Sequence, residues 1–154
     1  MRVVVPPPFE TFYAEHRDAV FRFLRRRLGP GRAEDAFQET FLRALRGYGS
    51  LEHAAHLRAW VFTIAARVVA DEHRRRKEPV ASAEPAFEER RPAYAELEHL
   101  ADALPPKERA AVVLRYGYDF EYADIASALG SSEEAARQAA SSGVRRLRRQ
   151  GVTL

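Results

Sequence analysis

The side chains best suited to chemistry lie near the C-terminus, in the stretch "SSEEAARQAASSGVRRLRR", residues 131–149. Wound at 100° per residue, it puts Ala136, Ala140, Gly143, Val144 and Leu147 on one side, with Ala139 at the edge. Glu134, Arg137, Gln138, Ser141, Ser142, Arg145, Arg148 and Arg149 take the other side. That polar face carries what a major groove asks for. Arg137 can pair with guanine, Gln138 with adenine, Ser141 with either, and Glu133 or Glu134 can accept from a cytosine amino group. Arg145 and Arg148 suit phosphates. The small residues of the other face let the preceding segment, with Ile125, Ala126 and Leu129, come close. Gly130 supplies the left-handed turn between them, and Ser131 with Glu134 reads as a capping box. The chemistry is that of a helix-turn-helix.

Two further constellations stand upstream. In "HLRAWVFTIAARVVADEHRRRKEP" the groups Arg58, Trp60, Arg67, Arg74, Arg75, Arg76 and Lys77 interleave basic and aromatic side chains along one helix. Unstacked bases and single-strand phosphates are held by that combination; the alternatives are a core place for Trp60 and a helix C-cap for Arg74 to Lys77. In "AEDAFQETFLRAL" the residues Asp35, Gln38, Glu39 and Leu42 share one helical stripe, beside an apolar stripe of Phe37, Phe41 and Leu45. An acid, an amide and a leucine together make an odd solvent face and a good docking patch for a basic, helical partner. His53, His56, Asp71, Glu72 and His73 do not make a metal site. The first two fall in a loop, and three consecutive residues point apart on a helix. No catalytic group, metal or cofactor is expected.

These residues need elements to hold them. Nearly the whole chain has helical period, and the only strand-like run, "VVV" near the start, is cut off by three prolines. Helices are expected over Phe9–Leu28, Arg32–Arg46 and His56–Lys77, the last apolar on two sides and therefore wedged between neighbours. "EPVASAEPAFEERRP" then changes composition, with Pro79, Pro85 and Pro92 among glutamates, and reads as a tether. Helices resume at Ala93–Ala103, after "LPP" up to Gly117, at Glu121–Leu129 and at Ser132–Gln150. The fold class is all-α: two small helical domains, 1–77 and 93–154, joined by a flexible acidic linker, 78–92, with the helix-turn-helix in the second.

The 154 residues carry a formal charge of +3, and the arginines cluster at 25–27, 74–76 and 145–149. That balance fits a polyanion partner. The chain has no cysteine, which excludes disulfides, thiol catalysis and Cys-ligated zinc. No apolar run reaches the ~18 residues of a membrane span or the form of a signal peptide, so a cytoplasmic chain without membrane insertion is expected.

Taken in order, "EDAFQETFLRAL", "LRAWVFTIAARVVADEHRRR", the proline-broken linker, "LPPKERAAVVLRYGYDFEYADIASALG" and the final helix resemble a bacterial RNA polymerase sigma factor. The group is the small, two-domain, extracytoplasmic-function (ECF) type. The resemblance covers nearly all of residues 9–150. It implies a transcription initiation factor, not an enzyme, with core polymerase and promoter DNA as partners and room for an anti-sigma factor. It places Asp35, Gln38, Glu39, Phe41 and Arg43 on the clamp helices of the largest subunit, and the C-terminal domain on the polymerase flap. Gly47, Tyr48, Ser50 and His56, in the loop "GYGSLEHAAH", would hold a flipped base of the −10 element. Arg58, Arg67, Arg74, Arg75 and Arg76 would touch the strands where melting starts. Arg137, Gln138, Ser141, Ser142, Arg145 and Arg148 would read the −35 element. The chain departs from the family where "GTV" usually opens the recognition helix, having Glu134, Ala135 and Ala136, and has Arg67 at a frequent asparagine position. A free-standing helix-turn-helix regulator that needs no polymerase is the alternative; the acid–amide stripe and the lack of a dimer seam speak against it.

Overall fold

The structure, a computed structural model, describes residues 5–51, 56–77 and 100–152. These residues form helices α1 (Phe9–Leu28), α2 (Pro30–Tyr48), α3 (Leu57–Lys77), α4 (Pro106–Val112), α5 (Tyr122–Leu129) and α6 (Glu133–Arg149). A 3₁₀ turn, Ala101–Ala103, precedes α4, and a π-helical turn, Val113–Gly117, continues it. The expected tether, 78–92, and most of the expected helix Ala93–Ala103 lie outside the described residues.

Helices α1 and α2 meet at Gly29, whose φ of +81° lets the chain turn at once into Pro30 at the start of α2. Helix α2 therefore starts two residues earlier than the apolar pattern indicates. It also runs two residues further, because Gly47 and Tyr48 pack rather than break it. A Cβ on Gly47 would sit 3.4 Å from the Trp60 ring. The Tyr48 ring lies 5.3 Å from Phe9 and 5.2 Å from Phe12, and its hydroxyl donates to the Pro7 carbonyl at 2.5 Å. Around Phe12 the rings of Tyr13, Phe37, Phe41 and Trp60 complete an aromatic cluster. Each such pair adds about 0.5–1.5 kcal/mol beyond its area.

Helix α3 buries Val61, Phe62, Ala65, Ala66, Val68 and Val69. Two apolar sides require two sets of neighbours. Helices α1 and α2 supply one, and α4 and α5 the other. One apolar cluster thus runs from Phe12 and Phe23 through Phe62 to Phe120, Ile125 and Ala140. The two helical groups, which the sequence separates by a tether, share a core.

In the C-terminal group α6 buries Ala136, Ala140, Gly143, Val144 and Leu147, the face expected from the wheel. Gly130 closes α5 in the left-handed region, φ +65° and ψ +37°. The Ser131 amide returns to the Ala126 carbonyl at 2.9 Å and the Gly130 amide to that of Ser127 at 3.2 Å, a Schellman closure. That use of Ser131 corrects the expected cap. The N-cap is Ser132, whose Oγ accepts from the Ala135 amide at 3.1 Å, so Ser131 and Glu134 form no capping box.

Two predictions follow from packing. A Cβ at position 143 would lie 2.5 Å from Val112 Cγ2 and 3.2 Å from the Glu108 carbonyl. Overpacking of this kind costs ~1–3 kcal/mol, against at most ~1 kcal/mol of helix propensity gained. Gly143→Ala should lower the thermal midpoint. His16 is buried, with Nδ1 unpartnered. Burial holds its imidazole below the ordinary 6.5, Glu15 opposes that, and Arg58 adds to it. The unfolded chain then binds the proton first as pH falls, so stability conferred by neutral His16 is present above pH ~6.5 and declines below it. Urea midpoints between pH 7 and 5.5 should fall more steeply in the parent than in His16→Phe.

Candidate nucleic-acid interface

The polar face of α6 is open. Arg137, Gln138, Ser141, Arg145 and Arg148 are exposed and Ser142 is half-buried, and all six project from the side opposite the packed alanines. Arg137 is held in place. Its guanidinium lies 5.0 Å from the centroid of the Tyr122 ring, and Glu133 and Glu134 each approach it at 3.9 Å. Arg115 lies 4.4 Å from the same centroid and donates to the Phe120 carbonyl at 3.0 Å. Tyr122, on α5, thus steadies a side chain on α6. Helical periodicity could not have indicated it, because the contact joins two elements. The carboxylate of Glu134 also accepts from Gln138 at 3.4 Å, restraining a second side chain of this face.

The basic face of α3 is occupied differently. Arg58 donates from Nε to the Ser127 carbonyl of α5 at 2.6 Å, and Arg67 donates to the Tyr118 hydroxyl at 3.2 Å. Arg74 pairs with Asp71, while Arg75 and Arg76 are exposed. His56, just before α3, is exposed with φ +64°, and its carbonyl accepts from the Trp60 amide. Ser50 is exposed; Gly47 and Tyr48 belong to α2 and the aromatic cluster rather than to a loop. Burial pushes the Tyr48 phenol up, so it stays protonated. Residues 52–55 of the expected loop lie outside the described residues. Between α3 and α4 runs a cleft of about 280 Å³ lined by His56, Trp60, Thr63, Arg67, Arg109 and Val113, among others.

On α2, Asp35 and Gln38 are exposed and Glu39 is half-buried, accepting from Arg43 at 2.9 Å. Arg43 also reaches Asp71 at 3.1 Å. Phe41, expected on the docking face, is instead buried among Tyr13, Phe37 and Phe12. The apolar part of this face is instead Leu42, 46% exposed, with Leu45, 52% exposed, one turn on. Gln38, Leu42 and Leu45 are spaced i, i+4, i+7 and line up along the helix.

The model of Sigma-70 region 2 matches residues 12–78, and that of Sigma-70, region 4 matches residues 94–147. The chain is 34% identical over 151 residues to the RNA polymerase sigma factor CarQ of Myxococcus xanthus, covering 91% of this chain and 87% of that one. It belongs to the sigma-70 family, in the ECF group. The ECF RNA polymerase sigma factor BldN of Streptomyces coelicolor is also 34% identical, over 92% of this chain; the match spans 59% of BldN. The sigma factor RpoE of Bartonella quintana, solved with the anti-sigma factor NepR, aligns over 92% of this chain and 94% of that one at 22% identity and a TM-score of 0.44. As a sigma factor the chain is a transcription initiation factor that binds core RNA polymerase and promoter DNA.

In this sigma factor, restrained and unrestrained arginines should behave differently. Arg137→Ala, and to a lesser degree Tyr122→Leu, should cost ~1–3 kcal/mol of discrimination at one base pair of a duplex site. Arg148→Ala should weaken all duplexes alike and reduce the salt slope by about one. Competition titrations with singly substituted duplexes at two salt concentrations distinguish these outcomes.

Proposed function

We propose that the sigma factor divides its work by domain. Residues 1–77 hold the clamp helices of the largest polymerase subunit and the −10 element, and residues 93–154 hold the flap and read the −35 element. It selects and opens promoters through binding energy, in the cytoplasm, and catalyses nothing. An anti-sigma factor belongs to the same proposal and rests on the family alone.

The observation that carries this reading is a pair of exposed faces on one chain. On α6, the face bearing Arg137 and Gln138 presents base-reading groups with restrained geometry. On α2, Gln38 sits beside two leucines left about half in water. A regulator acting alone would need the first face and not the second. Apolar side chains rimmed by Asp35 and Gln38 suit a partner helix that offers its own leucines and a basic rim.

Opening DNA loses ~1.4 kcal/mol of stacking per base-pair step. A base captured on an aromatic surface returns ~1–3 kcal/mol. Capture offsets only part of the opening, so phosphate contacts from Arg74, Arg75 and Arg76 at the end of α3 are assigned to the same step.

Run-off transcription with core polymerase, with and without the chain, tests the whole reading. Leu42→Ala with Leu45→Ala should lower core affinity roughly tenfold while circular dichroism is unchanged, since both side chains are already exposed. Replacing Arg74, Arg75 and Arg76 by alanine should weaken permanganate reactivity at the start site more than closed-complex binding. Unchanged permanganate footprints would remove these arginines from the melting step.

A further inference from the structure

We infer that Glu134 is itself a base-reading residue, and that it makes cytosine part of the duplex word the sigma factor selects. This rests on the assignment of α6 to the −35 element made above and names one of the bases read there.

Glu134 sits in the middle of the polar face. Wound at 100° per residue, it falls between Arg137 and Gln138, in line with Ser141 and Arg145 farther along α6. Glu133, the other carboxylate of the first turn, falls at the edge of the face, on the side of the packed Ala140. Residue type alone makes the two equal. Position separates them, and so does exposure: the Glu134 side chain is 71% exposed and that of Glu133 54%. A recognition helix meets base edges with the residues near its N-terminal end, and Glu134 is among those.

Its neighbours leave it able to accept. An ionised carboxylate has two oxygens and about four lone-pair sites. Gln138 takes one, donating from Nε2 at 3.4 Å. Arg137 stays at 3.9 Å from Glu134 and lies 5.0 Å from the centroid of the Tyr122 ring. The hydrogen bond from Gln138 also fixes the sense of its amide: the nitrogen faces Glu134, and one N–H and the carbonyl remain for a base. The face thus offers three different chemistries side by side. Glu134 only accepts, Arg137 only donates, and Gln138 does both.

An acceptor-only group is selective in the major groove. Donors there come from cytosine N4 and adenine N6 alone. Adenine sets its N7 acceptor beside that amino group, facing the negative charge, and cytosine does not. Guanine offers O6 and N7, and thymine O4, all of them acceptors. Glu134 therefore rejects three bases and accepts one, working by exclusion as much as by attraction. Among arginines suited to phosphates, a carboxylate weakens the hold on any duplex backbone. Only a base that offers it a donor offsets that loss, so its contribution is discrimination. Three residues span ~4.5 Å along a helix, little more than the ~3.4 Å between stacked base pairs. Glu134 and Arg137 then face neighbouring pairs, and the cytosine lies beside a guanine.

The test is selection from a randomised duplex pool by the full chain bound to core polymerase. The parent should enrich a word with a fixed cytosine next to a guanine. Glu134→Gln should exchange that cytosine for adenine and leave the other positions alone, because an amide pairs bidentately with N6 and N7. Glu134→Ala should admit all four bases there within about twofold, against about tenfold discrimination in the parent. A second measurement separates contact from positioning. Replacing the selected cytosine by 2-pyrimidinone, which lacks the 4-amino group, should weaken binding about tenfold in the parent and less than twofold in Glu134→Ala. A word that changes in Arg137→Ala but in neither Glu134 variant would overturn the inference and leave the α6 assignment standing. Loss of selectivity at the guanine and adenine positions in Glu134→Ala, with cytosine still fixed, would also overturn it, since Glu134 would then only position Arg137 and Gln138. A pool that yields no word, or a word unchanged in both Glu134→Ala and Arg137→Ala, would overturn it together with the α6 assignment.

Discussion

Helix α3 has apolar residues on two sides, and a different set of helices covers each. Helices α1 and α2 cover one side through Phe12, Phe23, Phe41 and Ala44. The other needs a lid, and the helix-turn-helix group provides it through Phe120, Ile125 and Ala128. That single requirement sets where the second group sits and which arginines it captures. It also decides that the polar face of α6 is presented to solvent while part of α3 is covered. The ion pairs of Asp124 with Arg26 and Arg27 add direction to a contact that apolar burial alone would leave free to rotate.

A factor that must grip two distant elements and a large machine gains from a compact resting form. The aromatic cluster around Phe12 keeps the N-terminal bundle rigid, so the α2 side chains proposed to dock would need little ordering on contact. The close passage of α6 over α4 at Gly143 does the same for the exposed face of α6.

Much of this was legible in the residues. The wheel for 132–150 gave the packed face of α6 without error, because alternation of small and polar side chains over five turns leaves one solution. The wedged character of α3 was legible for the same reason. The cap at Ser131 was misread because a Schellman closure takes one residue more than a simple glycine turn, and sequence spacing does not distinguish the two. Phe41 enters the docking set through the family resemblance alone, while the periodicity puts it on the apolar stripe beside Phe37. The apolar stripe was assigned as a unit, yet Phe41 goes to the core and Leu45 to solvent. Tyr122 and Asp124 were out of reach. Both act across elements that nothing in local spacing brings together, and the proline-rich stretch argued for separated domains.

The claim underlying the rest is that one chain changes from a closed body to an extended one when it meets polymerase and promoter. Spin labels on cysteines introduced at Asp18 and Gln150, both exposed and outside every proposed contact, report that distance by pulsed electron resonance. The account predicts one short, narrow distribution for the free chain, replaced by a long one, several tens of ångströms greater, in the complex with core polymerase on promoter DNA. The same short distribution in both samples, in a complex that still makes RNA, would contradict it.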